Sequence, residues 1–276
     1  MRIPAILLFS FSCLAPVVAA AEDETPLSHT IDDYLDGRPP LLAPGTGGLL
    51  GVFQAQLHLW APELTGDLTV EAGLVLDLES DLGIDDTELT VVPQFQLKLL
   101  GLGLRFDAFF LKFDGSSLLS RTFTFGGATF QLNEQISTEL GIDQFRLMFL
   151  IPLIDAGNVA LSVQIGAAGL FLDGTVVGAT TGSASRSEEI VIPLVGAVLQ
   201  AKLGPVMLEV DVLGMTIDYT GTSGTIIDLR ISVGTTFLEV VALHVGYRHI
   251  VIEGEGAGFS LDVTLAGFFI GVSVQF

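Results

Sequence analysis

Cysteine occurs once in the 276 residues, at Cys13. That position falls in a segment expected to be cleaved, so the mature chain has neither disulfides nor thiol chemistry. Basic residues are also few: 11 Lys plus Arg stand against 32 Asp plus Glu, for a formal net charge of -21. This balance argues against a nucleic-acid partner, because phosphate contacts need the opposite sign. Beyond the N-terminus no uninterrupted apolar run reaches the length of a membrane-spanning helix. Neither a cofactor-binding glycine motif nor zinc-ligand spacing occurs, so no cofactor and no metal is expected. The acidic stretch Asp77, Glu79, Asp81, Asp85, Asp86 has oxygen ligands suited to calcium or magnesium. Its spacing does not give the twelve-residue calcium loop, and a solvated acidic surface accounts for it.

What the chain does have is dispersed hydrophobicity. Half of its residues are hydrophobic, yet they alternate with small and polar ones instead of forming blocks. The stretch Phe268–Phe276 shows the pattern most clearly. Phe268, Ile270, Val272, Val274 and Phe276 fall on one face, and Phe269, Gly271, Ser273 and Gln275 on the other. A strand with one oily side at a chain terminus would be an aggregation-prone edge in water. The same strand is what a closed barrel surrounded by lipid requires.

Met1–Ala21 carries Arg2, an apolar core from Ile3 to Val18 and the small residues Ala19-Ala20-Ala21, which together form a secretory signal. Residues 22–48 are acidic, then rich in Pro and Gly, and are expected to be a low-order periplasmic leader. From residue 49 to 276 the alternation recurs. The apolar terminal strand ending in Phe276 resembles the C-terminal signature of bacterial outer-membrane β-barrels, and Leu59–Asp67 is similar to a phrase found in uncharacterised members of that class. The fold this implies is an all-β, antiparallel, transmembrane up-and-down barrel. Counting segments gives about ten strands, with twelve as the alternative. The partners implied are outer-membrane lipids, lipopolysaccharide and the barrel-assembly machinery, which would read the strand ending at Phe276. The compartment implied is the outer membrane of a Gram-negative bacterium.

Several irregularities are expected. Parity slips near Asp143, which suggests a β-bulge that leaves Ile136, Leu140 and Ile142 facing outward. A second slip, near Ala266-Gly267, calls for a bulge or a two-residue turn. Pro93 hints at a bulge. Loops are expected at Ala61–Asp86, Gly115–Asn133, Asp173–Glu189, Thr220–Gly224 and Glu253–Gly258.

Almost every charge within a strand falls on the face opposite the oily one. The lumen is therefore expected to be lined by Lys98, Arg105, Asp107, Arg146, Lys202, Glu209, Asp211, Asp228, Arg230, His244, Arg248 and Asp262. Signs are nearly balanced, so paired charges filling a narrow lumen are favoured over an open channel. The function expected is structural, or that of a passive small-solute pore, and not enzymatic. The alternative is an enzyme acting on lipid A or phospholipid, built on His58, His244 or His249, with Ser232 and Asp262 near His244.

Overall fold

A computed structural model describes residues 52–70, 73–84, 87–99, 101–219, 222–237, 240–256 and 259–275. The expected signal peptide, the leader, and Cys13, Asp85, Asp86 and Phe276 lie outside these residues. The strands are β1 (Val52–Val70), β2 (Leu74–Asp77), β3 (Thr90–Leu99), β4 (Leu102–Leu118), β5 (Phe123–Phe125), β6 (Ala128–Phe130) and β7 (Gln135–Asp155). There follow β8 (Val159–Gly178), β9 (Gly182–Leu203), β10 (Val206–Tyr219), β11 (Thr222–Phe237), β12 (Val241–Gly256) and β13 (Phe259–Gln275). All but β2, β5 and β6 pair antiparallel in chain order, and β13 returns to pair with β1. The result is a closed barrel of ten strands, the architecture expected. Gln54 lies opposite Gln275, so both ends of the described chain sit at the rim of short turns. In barrels of this kind that rim is periplasmic, and the long hairpins at the other rim face outward from the cell.

The two expected parity slips are absent. Along β7 the register with β4 runs unbroken from Leu118↔Gln135 to Gly103↔Leu150, and the pairing with β8 shifts only between Pro152 and Ile154. Ile136, Leu140 and Ile142 are buried on the inner face, not exposed on the outer one. Similarly, β13 pairs residue for residue with β1 from Gln275 to Ser260, with neither bulge nor turn at Ala266-Gly267. Its inner face changes from Phe269, Gly271 and Ser273 to Leu261, Val263 and Leu265, and its outer face from Phe268 and Ile270 to Thr264 and Asp262. Asp262 is thus on the outer wall, which corrects its expected place in the lumen. The backbone does not slip; the polarity of the two faces exchanges.

The exchange has a physical cause that repeats around the barrel. Where hydrocarbon surrounds the wall, the outward residues must be apolar and polar groups are confined to the interior. Above the hydrocarbon the wall meets water, and the same strands behave as a soluble barrel with an apolar core. On β4, Arg105 and Asp107 give way to Phe109, Leu111 and Phe113 on the inside; on β12, His244 and Arg248 give way to Ile250 and Ile252. On β1, Gln54 and His58 give way to Trp60 and Leu64.

The same change of solvent explains the misplaced loops. The Ser-rich outward face of β9 at Ser183, Ser185 and Ser187 looks into water while Ala184 is buried behind it, so the expected loop Asp173–Glu189 is strand apart from a turn at 179–181. For the same reason β12 continues through Glu253 to Gly256, and β11 already includes Gly224. Strand β1 runs straight through Ala61–Asp67, and β2 folds back on its end. Pro93 causes no bulge: β3 keeps its register with β1. Strand β4 pairs with β3 only up to Gln94, and beyond that point Thr90 Oγ1 donates to Phe110 O at 2.7 Å. Leu76, Leu78, Leu82 and Ile84 are buried there, and Ser117 Oγ donates to Asp81 O at 2.5 Å, fastening this segment to β4.

A charge placed outward at Val245, in the apolar belt, is expected to cost about 2–4 kcal/mol as Val245→Arg. Ser187→Arg, above the belt, should cost close to nothing. Urea unfolding of the two variants in lipid vesicles measures the difference.

Candidate functional site

The strand parity gathers the inward charges into one layer within the apolar belt. Four arginines and four carboxylates interlock there in two chains. In the first, Arg146 Nε donates to Asp107 at 2.9 Å and Nη1 to Asp228 at 2.5 Å, while Arg248 holds Asp228 with two bonds of 3.1 and 2.7 Å. In the second, Asp211 accepts from Arg105 at 2.8 Å and from Arg230 at 3.0 Å, and Arg230 also donates to Glu209 at 3.0 Å. Each chain holds two positive and two negative groups and is neutral. Asp107 stands directly opposite Arg146, and Asp211 opposite Arg230, so adjacent strands build part of the pairing. Other bonds cross the lumen: Arg105 on β4 reaches β10, Arg146 on β7 reaches β11, and Arg230 reaches Gln94 on β3 at 2.6 Å.

Charges this deep survive only with partners. Glutamines supply further partners, although Asp107 Oδ1, Gln94 Nε2, Gln164 Oε1 and Gln200 Oε1 are buried without one among the described residues. Gln96 accepts from Arg105 at 3.2 and 3.1 Å, Gln164 donates to Asp211 at 2.6 Å, and Gln200 donates to Glu209 at 2.5 Å. Sequence reasoning misses their role, although their inward parity is visible in it. Arg248 also lies 5.1 Å above the Trp60 ring and 5.2 Å from the Phe109 ring, where the charged layer meets the apolar core. Such cation–π contacts suit an arginine on that boundary.

Of the other expected lumen residues, Lys98 and Lys202 are half-buried on the inner face near the short-turn rim. His244 is buried, but its partner is Ser273, whose Oγ lies 2.8 Å from Nε2, instead of Ser232 or Asp262. His58 sits 6.5 Å from His244, ring to ring, and Gly271 is opposite both. A Cβ on Gly271 would come within 2.2 Å of the His58 ring, and one on Gly234 within 2.6 Å of the His244 ring, so the missing side chains give the two imidazoles room. His249 is half-buried and faces outward by parity. The space beside His58 and His244 amounts to about 10 Å³ and is lined also by Glu209, Arg230 and Gln200. That is about one water molecule.

No protein-family model and no curated protein sequence matches the chain. In structure it is similar to the outer-membrane protease OmpT of Escherichia coli, with a TM-score of 0.55 and 10% identity over 82% of this chain and 97% of that one. The translocator domain of the autotransporter NalP from Neisseria meningitidis matches at a TM-score of 0.40 and 12% identity, over 89% of this chain and 92% of that one. Ail of Yersinia pestis, in complex with sucrose octasulfate, matches at 0.35 and 12%, over 82% and 99%. The first of these likenesses, together with the closed ten-strand wall and its apolar belt, decides the class. This chain is an outer-membrane β-barrel. Its compartment is the outer membrane of a Gram-negative bacterium, and membrane lipid surrounds its belt.

At the outer rim of the barrel the connection from β4 to β7 carries the β5–β6 hairpin, a small sheet separate from the wall. Phe123, Phe125 and Phe130 are buried, and Phe123 stacks on Phe130 at 5.2 Å. Glu134 fastens the base of the hairpin. Its carboxylate accepts from the amides of Gln131 (3.0 Å), Thr180 (2.8 Å) and Thr181 (2.6 Å), and from the Thr180 and Thr181 hydroxyls, both at 2.7 Å. The Gln131 amide, then the threonine hydroxyls, hold this carboxyl well below the usual carboxylate range against the opposing effect of desolvation. In the neighbouring acidic turn, Asp77 accepts from the Ser80 amide at 2.6 Å, and Asp81 accepts from the Asp77 amide at 3.1 Å and pairs with Arg121. Asp77 serves the turn itself, and Asp81 also ties it to the β4–β5 connection through Arg121.

Asp228→Asn strips a carboxylate from two buried guanidinium groups and should destabilise the barrel by about 3–5 kcal/mol, read as a lower temperature for the heat-induced gel-mobility shift. The Glu134 bonds respond to pH in a fixed direction. Because the folded carboxyl titrates below its unfolded value of about 4.3, its stabilisation is complete above that pH and fades as pH falls further. Hydrogen exchange at residues 123–130 should therefore quicken relative to the barrel strands on acidification, and Glu134→Gln should remove that response.

Proposed function

We propose that this barrel has a structural role in the outer membrane, with an interior sealed against ions and small solutes. The observation that carries the reading is the pair of neutral ion chains, in which Arg105, Arg146 and Arg230 cross the lumen at belt height and all four arginines are at most 5% exposed. Above them a continuous apolar core fills the outer half. A barrel of this strand number has little room for a channel once its inward side chains are packed. Outer-membrane lipids, lipopolysaccharide among them, are the partners of the apolar belt in this reading. The terminal strand β13, whose pairing with β1 closes the wall, is the segment the assembly machinery would engage.

The enzyme alternative draws on the contact between His244 and Ser273. Ser273 is fully buried, and the adjoining space admits about one water, so a lipid substrate has no approach to it. The sealed structural reading is the better supported.

Planar-bilayer recording on the purified barrel tests this. Silence over a wide voltage range is the expected result, and reproducible unitary steps would contradict it.

A further inference from the structure

Of the three buried phenylalanines of the β5–β6 hairpin, Phe125 is the one that borders an internal space of the barrel. Its ring lines that space in the outer half of the barrel together with Leu68, Leu140, Leu172 and Leu261 from four different strands, with Gly174 beside it. A Cβ on Gly174 would already lie 3.1 Å from the ring, so the wall is hollowed at that point to admit it. The fit is still incomplete: a space of about 40 Å³ remains against the ring, with the Arg186–Glu188 pair at its edge. Each strand of the hairpin spans three residues, and neither is hydrogen-bonded into the barrel sheet. A two-stranded hairpin this short is not stable alone. It holds its place by inserting phenylalanine side chains, through the Glu134 carboxylate at its base, and through Thr181 Oγ1, which donates to Thr129 O at 3.2 Å, whereas the pocket walls belong to continuous barrel strands. The hairpin is therefore the part of the outer half that can detach while the pocket persists.

We infer that the outer half of the barrel contains a binding pocket for a small uncharged apolar or aromatic molecule, and that Phe125 occupies it when no ligand is present. The hairpin is its lid and Glu134 the fastening. Ligand and Phe125 compete for the same walls, so apparent affinity scales with the fraction of molecules whose lid is displaced. The charged layer beneath remains closed, so the pocket binds without conducting, and it stands whether or not the sealed-barrel reading holds.

The test is equilibrium dialysis of fluorobenzene against the full chain in lipid nanodiscs, with empty nanodiscs as the blank. Glu134→Gln, which keeps every wall residue and weakens the tie between the hairpin base and the β8–β9 turn, should tighten apparent binding by about tenfold over wild type. Phe125→Ala should tighten it at least as much, and Phe125→Trp should abolish it. The gel-mobility shift on heating confirms that each barrel is closed. Equal binding by all four proteins would overturn the inference. Tightening by Phe125→Ala alone would overturn it too, since that marks a hole made by the substitution and not a pocket under a lid.

Discussion

A β-strand turns alternate side chains to opposite faces whatever surrounds it, while the surroundings of this barrel change along each strand from hydrocarbon to water. The whole structure answers that mismatch. Within the belt, lipid requires apolar residues outside, and the polar residues of the alternation are forced into a lumen where water is scarce. Beyond the belt, water outside permits an ordinary apolar core. One backbone therefore carries two opposite colourings, and the level at which they exchange is the membrane surface.

The charged layer follows directly. Polar residues confined to a narrow lumen must satisfy one another, and isolated buried charges are prohibitively costly. Two neutral chains, each of two arginines and two carboxylates, answer that requirement, helped by Gln96, which accepts, and by Gln164 and Gln200, which donate. Because Arg105, Arg146 and Arg230 reach across to strands other than their neighbours, the pairing also braces the barrel from inside. Small inward residues complete the packing, as Gly271 does between His58 and His244. The near balance of charge in the sequence, which favours paired charges over an open channel, corresponds to this interlocked layer.

The lower half of every strand is legible in the sequence, because there a single rule holds. Outward Leu97, Phe149, Leu199 and Ile231, and inward Arg105, Arg146 and Arg230, fall where alternation places them. The outer half misleads because the rule inverts. Alternation read with one polarity sends apolar residues such as Ile142 and Val263 to lipid or to bulges, and Asp262 to the lumen, although the period of two is never broken. Ser and Thr on β8 and β9 suggest a loop, since polarity alone cannot separate a loop from the wet face of a strand. The three phenylalanines of the lid lie in a polar stretch too short for periodicity to register. The usable signal is that apparent slips recur in β7 and β13 alike. Independent bulges are a weaker explanation of such a coincidence than one change of solvent.

The exchange of polarity along an unbroken strand is tested most directly by single cysteines along β7 in reconstituted vesicles, probed with a membrane-impermeant maleimide. It predicts labelling at Asp143→Cys and protection at both Ile142→Cys and Leu147→Cys, one by the apolar core and one by lipid. Labelling at Ile142→Cys with protection at Asp143→Cys would mean that the strand bulges instead, and that the two faces of the wall never trade places.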